Sequence, residues 1–152
     1  MIEGVVVDRA RFEDVPAIIA LLAADPLGAA RESPDDPDAY RKAFEDIDSD
    51  PNQFLAVARR GERVVGTLQL TFVPGLSRRG SLRAQVEAVR VDEGERGGGL
   101  GTALMEWVER EARARGAVLL QLTSDRERED AHRFYERLGH TASHLGFKKR
   151  LT

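Results

Sequence analysis

Six consecutive residues, Arg96-Gly97-Gly98-Gly99-Leu100-Gly101, lie between an alternating apolar run, Val86 to Val91, and an amphipathic stretch that opens at Leu100. Their chemistry is anion binding. Glycines at this density permit φ > 0 and keep side chains out of a ligand's way, while the first amides of a following helix have no intrahelical partner. Unpaired N–H groups and the helix dipole both favour a phosphate or pyrophosphate. A mononucleotide P-loop needs Gly, four residues, then Gly-Lys-Ser/Thr; after Gly94 and Gly99 this chain has Leu100 and Gly101, so that type of kinase or ATPase is excluded. A dinucleotide G-x-G-x-x-G fails as well, because counting from Gly97 or Gly99 the third position is Thr102 or Leu104. The pattern that survives is R/Q-x-x-G-x-G/A, met by Arg96, Gly99 and Gly101.

Composition narrows the chemistry further. The 152 residues suit one domain, 1–152, with a real core. There is no Cys, which excludes a disulfide framework, a thiolate metal site and an acyl-enzyme through sulfur. A formal net charge of -3 disfavours a dedicated nucleic-acid binder, although Arg78, Arg79 and Arg83 form a local basic cluster that could attract an acidic acceptor. His140 and His144 are four apart, but they follow Gly139 in a segment that reads as turn and strand, so no metal site is expected. The longest apolar stretch, Ala17 to Ala24, is far below membrane-spanning length. The expectation is a cytoplasmic protein with small-molecule partners and no membrane or nucleic-acid partner.

Three ordered motifs carry a family resemblance. Gln85 to Asp92 looks like a central strand that presents an acidic residue and then main-chain groups; Arg96 to Gly101 follows it; and Asp130-Ala131-His132-Arg133-Phe134-Tyr135-Glu136-Arg137-Leu138-Gly139-His140 is similar to an A-x-x-F-Y-x-x-L-G-F helix signature. Together they resemble the GCN5-related N-acetyltransferase (GNAT) superfamily, and Arg9, Asp14, Ile18 and Leu22 extend the likeness over nearly the whole chain. The resemblance implies an α/β GNAT (acyl-CoA N-acyltransferase) fold: a mixed, mostly antiparallel central sheet with a splayed parallel strand pair and helices on both faces. It implies acetyl-CoA as co-substrate, no metal, and direct acetyl transfer to a primary amine of a small molecule or protein. A non-catalytic acyl-CoA sensor, or an acyltransferase for a longer acyl chain, is the alternative. Homodimers are common in the family, but no seam is legible in this chain.

The same resemblance assigns residues. Val89, Arg90 and Val91 would meet the pantetheine arm through main-chain groups, and Arg96, Gly97, Gly98, Gly99, Leu100, Gly101 and Thr102 would hold the pyrophosphate. Acetyl transfer from a thioester to an amine needs an uncharged amine, a stabilised oxyanion and a proton for the leaving thiolate. Glu87 is the candidate general base; its structural alternative is an ion pair with Arg83 or another cross-strand partner. The oxyanion is assigned to backbone amides around Val89. Tyr135 is the candidate general acid, since a phenol with an ordinary pKa of about 10 is a neutral donor at cellular pH; its alternative is a plain core aromatic. The chain departs from the family in placing Arg128 where an Asn that contacts the pantetheine or sulfur is often found. Ser124, Asp125 or Arg128 could replace that contact, or Asp125 to Asp130 is simply a solvated charge run that caps a helix.

The elements that must position these groups follow from periodicity. Val5 to Asp8 reads as a strand, and Val15, Ile18, Ile19 and Leu22 mark a helix from about Glu13 that Asp25-Pro26-Leu27-Gly28 ends. A loop at 31–38 precedes a helix from about Asp38 to Ile47, whose Tyr40 is helix packing or a substrate wall. Phe54 to Ala58 and Val64 to Phe72 form a hairpin with Gly66 as a candidate bulge, and after Pro74 to Gly80 the strand Leu82 to Val91 returns antiparallel. Leu100, Leu104, Trp107 and Val108 give a core-facing helix, Gly116 to Leu122 the next strand, and Ala131, Phe134, Tyr135 and Leu138 one face of the last helix. A final pair of short strands is expected to end near Leu151.

Overall fold

In a computed structural model, which describes residues 2–152, the chain runs β1 (Val5–Arg9), α1 (Val15–Ala23), α2 (Pro26–Arg31), α3 (Asp38–Ser49), β2 (Gln53–Arg60), β3 (Arg63–Val73), α4 (Ser77–Gly80), β4 (Leu82–Val91), α5 (Leu100–Ala114), β5 (Ala117–Leu122) and α6 (Glu129–Arg137). The five strands form one sheet in the order β1-β2-β3-β4-β5. β1 to β4 are antiparallel neighbours. β4 and β5 are joined through α5, the crossover that a parallel pair requires. The chain divides into two compact units, one running to Gln121 and one from Leu122 to Thr152.

Strand alternation sends two different sets of side chains to the two faces of the sheet. On one face Ala56, Ala58, Leu68, Leu70, Phe72, Ala84 and Val86 are buried, and α5 covers them with Leu100, Leu104, Trp107 and Val108. Trp107 meets Phe54 edge-on at 5.1 Å between ring centroids. Full burial of a Leu, Val or Phe side chain in this layer contributes about 1.5–3 kcal/mol. On the opposite face Val57 packs with Ala10 and with Ile18 of α1, flanked by Leu22, Leu55 and Val64. Helices therefore cover both faces, as the pattern of apolar residues implies.

Two local features go beyond or against the sequence reading. The first helix ends at Ala23, before Asp25-Pro26 as expected, but the same residues also open an unanticipated helix, α2, because the Asp25 carboxylate accepts the Gly28 amide at 2.6 Å and Pro26 occupies the first helical turn. The same residue types start and stop helices, and only the packing of α2 on α1 distinguishes them. Gly28 is required there for space, since a Cβ would stand 1.7 Å from the Leu22 carbonyl oxygen. Gly28→Ala is expected to destabilise the protein by about 1–3 kcal/mol, read as a lower urea midpoint at unchanged slope.

The second correction is at the C-terminus, where residues 141–152 form no strand. The alternation of Leu145, Phe147 and Leu151 suits a strand, but a strand is held by a neighbouring backbone. The Ser143 amide instead closes a local turn onto the Thr141 carbonyl at 2.9 Å, and the three apolar side chains are exposed. Elsewhere the hairpin carries its bulge beside Gly66, with Ala58 opposite Gly66 and Arg59 opposite Val64. Tyr40 is half-buried on α3; its hydroxyl donates to Glu32 and accepts from the Ser33 amide, tying the helix to the preceding loop. Among the described residues no helix is long and apolar enough to cross a membrane.

Candidate active site

The site grows from an irregularity in β4. Gln69 lies opposite Glu87 and Thr67 opposite Arg90, so Ala88 and Val89 together face Leu68. Ala88 adopts φ +55, a left-handed conformation that costs a non-glycine residue about 1–2 kcal/mol. Such a bulge interrupts the ladder and re-aims the residues beside it. Glu87, immediately before it, is exposed on the α1 side of the sheet and accepts a hydrogen bond from Gln85 Nε2 at 2.7 Å. The expected alternative partner, Arg83, donates instead to Gln121 Oε1 at 3.4 Å.

After the bulge, Arg90 turns its guanidinium to Asp25 at 3.3 Å and to the Val89 carbonyl at 2.9 Å. The β4 bulge is thus tied to the corner between α1 and α2. Arg90 can serve a ligand through its main chain, because its side chain is engaged in the fold.

Beyond Val91 the chain makes a clamped turn. The Asp92 carboxylate accepts from the Gly94 amide at 3.1 Å and from Arg63 at 2.8 Å, and Glu95 takes Arg60 through both oxygens at 2.9 and 3.0 Å. The Arg60 guanidinium beside it holds the Glu95 carboxyl below the usual carboxylate range. The β2–β3 hairpin end therefore anchors the loop on which Arg96 to Gly99 are displayed. Gly97 and Gly99 both have φ +83, with no atom within 4 Å of where a Cβ would stand. Glycine is needed there for the backbone angle, and the space beside it is open. The Ala103 amide makes the first bond of α5, to the Gly99 carbonyl at 3.0 Å, so the amides of Leu100, Gly101 and Thr102 have no partner within the helix. Leu100 is buried and pins the helix start to the core. A cleft of about 670 Å³ adjoins Arg96, lined by Ala17, Ala20, Leu21, Val64 and Val91 among others.

A model of the acetyltransferase (GNAT) family matches residues 16–140. The chain belongs to that family. A curated relative, the aminoalkylphosphonate N-acetyltransferase of Salmonella typhimurium, is 36% identical over 113 residues, 74% of this chain and 73% of that one. Among solved structures, one described as a transcriptional regulator from Bacillus halodurans superposes with TM-score 0.93 at 44% identity, covering 97% of this chain and 99% of that one. An acetyltransferase from Trypanosoma brucei superposes with TM-score 0.74 at 25% identity, covering 97% and 99%.

For a GNAT protein the general activity is acetyl-CoA-dependent acetyl transfer, and the residues after the bulge fit that co-substrate. The open turn at Gly97 and Gly99 and the unbonded amides of Leu100 to Thr102 suit a pyrophosphate, and β4 supplies main-chain groups at Val89 to Val91. Glu87, Val89, Arg90, Val91 and residues 96 to 102 are brought onto one strand, its outgoing loop and the first turn of α5. Tyr135 lies on α6 in the second unit, half-buried, with its ring edge-on to Phe134 at 5.1 Å and to His140 at 5.7 Å. Arg128 is the N-terminal flanking residue of α6, behind a turn in which the Asp125 side chain accepts the Glu127 amide at 2.9 Å. His132 shares a hydrogen bond with the Asp125 carbonyl at 2.8 Å, and His144 one with Ser143 at 2.6 Å. Among the described residues no three His, Cys, Asp or Glu side chains are grouped to hold a metal ion. The bulge at Ala88 and the amides Gln85 and Gln121 were not legible in the sequence: alanine does not announce a left-handed angle, and glutamine on a strand is ordinary.

Proposed function

We propose that this protein transfers an acetyl group from acetyl-CoA directly to the primary amine of a small molecule, with short aminoalkyl acids as the first acceptor class to test. The observation that carries the reading is the continuity of β4: an exposed carboxylate at Glu87, a bulge at Ala88 and an open amide turn from Gly97 follow one another on a single strand and its loop. Acetyl-CoA supplies the activated acyl group. Glu87 takes the ammonium proton, directly or through one water, so that the amine nitrogen can form the new C–N bond as the C–S bond breaks. Amides around Val89 face the oxygen on which charge develops. Tyr135, at the position the family uses for this purpose, gives its phenolic proton to the departing thiolate.

The acceptor class is supported by the name of the 36% identical relative and by the basic cluster at the β3–β4 connection. Arg78 and Arg79 stand there at φ 55 and 62, exposed, and Arg83 is the second residue of β4. The Arg78→Ala/Arg79→Ala pair is expected to raise KM for 2-aminoethylphosphonate about tenfold, equivalent to about 1.4 kcal/mol, while KM for an uncharged alkylamine stays unchanged.

The test is thiol release from acetyl-CoA across a panel of amines, with Tyr135→Phe alongside. Turnover of an amine, slowed in the variant, supports the reading; a preference for longer acyl-CoAs would revise the donor. The description of the 44% identical relative as a transcriptional regulator favours a second reading, an acyl-CoA-responsive regulatory module. Tight acetyl-CoA binding with no turnover of any amine would favour it.

A further inference from the structure

Four polar side chains on the α1 side of the sheet form one directed chain of hydrogen bonds. Arg83 Nη1 donates to Gln121 Oε1 at 3.4 Å, Gln121 Nε2 donates to Gln85 Oε1 at 2.9 Å, and Gln85 Nε2 donates to Glu87 Oε1 at 2.7 Å. Its direction is fixed by its ends. A guanidinium can only donate and an ionised carboxylate can only accept, so both carboxamides must present oxygen toward Arg83 and nitrogen toward Glu87. Arg83, Gln85 and Glu87 alternate along β4 and share a face, and Gln121 reaches them from β5, the next strand. Gln69, opposite Glu87, is already engaged by Gln53 Oε1 at 2.8 Å. The chain is half-buried up to Gln85, and only Glu87 at its end is exposed.

We propose that Gln85 and Gln121 are positioning residues that hold the Glu87 carboxylate toward the acceptor amine, anchored on Arg83. The proposal rests on Glu87 as the proton acceptor. A guanidinium set directly against a carboxylate favours its charged form and opposes proton uptake. Two neutral carboxamides interposed between them transmit the orientation while keeping the full positive charge two side chains away. The bulge at Ala88 frees the strand immediately after Glu87, so the carboxylate needs a restraint from the other side, and Gln85 supplies it.

The test is a double-mutant cycle on kcat with acetyl-CoA and the best-turned-over amine of a panel containing 2-aminoethylphosphonate, with the melting temperature of each variant measured in parallel. Gln85→Leu is expected to lower kcat about tenfold, and the same change in a Glu87→Gln background to have no further effect, because Gln85 acts through Glu87. Gln121→Glu keeps the shape and still accepts from Arg83, but has no hydrogen for Gln85; it is expected to lower kcat several-fold as Gln121→Leu does. In the free protein, Glu87→Gln is expected to move the side-chain amide NMR resonances of both Gln85 and Gln121. Multiplicative effects of Gln85→Leu and Glu87→Gln, a wild-type kcat for Gln121→Glu, or an unmoved Gln121 resonance would each overturn the positioning role. If Glu87→Gln itself leaves kcat unchanged, or no amine turns over, the base assignment or the enzymatic reading falls first and takes the proposal with it.

Discussion

Glu87→Gln is expected to lower kcat by about 10²–10⁴-fold, the usual worth of a positioned general base, and to leave acetyl-CoA affinity unchanged. The carboxamide is isosteric and can still meet Gln85, so the strand keeps its shape and the bulge at Ala88 stays in place. What is lost is a group able to take the ammonium proton at neutral pH. The effect belongs in kcat because the acceptor's binding groups are elsewhere on the face. Stopped-flow thiol release and calorimetry with acetyl-CoA separate the two quantities. A variant with wild-type kcat would assign the proton to water or another group.

Arg59→Ala is expected to cost about 3–5 kcal/mol of stability, the range for removing one partner of a buried ion pair. Arg59 and Asp14 are 12% and 8% exposed, and the guanidinium grips both carboxylate oxygens at 2.6 Å. Asp14 also accepts the Arg11 amide at 2.7 Å, so the same carboxylate ties the segment before α1 to the end of β2. Without Arg59 the charge is stranded in the core or must be neutralised. Replacing both residues by Leu is expected to recover much of the loss, since the penalty comes from the unpaired charge.

The same pair sets a pH limit. The Arg59 guanidinium hydrogen-bonded to Asp14 holds its carboxyl below the usual range, against the opposing effect of burial. A depressed native value means that the contribution is full above the unfolded value of about 3.9 and is lost as pH falls through the lower native value. Urea unfolding between pH 6 and pH 2.5 should therefore show an acid-side loss of stability in the wild type that is much reduced in Arg59→Ala.

Several features of this molecule follow from residue order alone. Gly97 and Gly99 after an alternating strand specify a turn that positive φ closes, and Leu100, Leu104, Trp107 and Val108 repeat at the helical period, so the glycine turn and its helix are local consequences of sequence. The hairpin, its bulge beside Gly66 and the return of β4 are likewise written in apolar alternation and turn residues. The charge run before α6 shows why some local signals stay ambiguous: Asp125 accepts the Glu127 amide and Arg128 precedes the helix, and the same residue types suit a helix cap or a ligand contact.

Tertiary structure decided the rest. Asp25-Pro26 begins a helix because α1 offers α2 a surface close enough that Gly28 must lack a Cβ, and a distance between helices has no sequence signature. The apolar alternation at Leu145, Phe147 and Leu151 yields no strand, because pairing depends on a neighbouring backbone that the segment itself cannot supply. Ala88 takes a left-handed angle because β3 and β4 differ by one residue in register, a mismatch that exists only once the two strands are paired. Glu87 and the carboxamides of Gln85 and Gln121 join for the same reason: residues on neighbouring strands, 36 positions apart between Gln85 and Gln121, meet through sheet order rather than sequence spacing. Sequence determined which local elements form and what chemistry their residues can do; packing and strand register determined where those residues meet, because both are long-range properties of the folded chain.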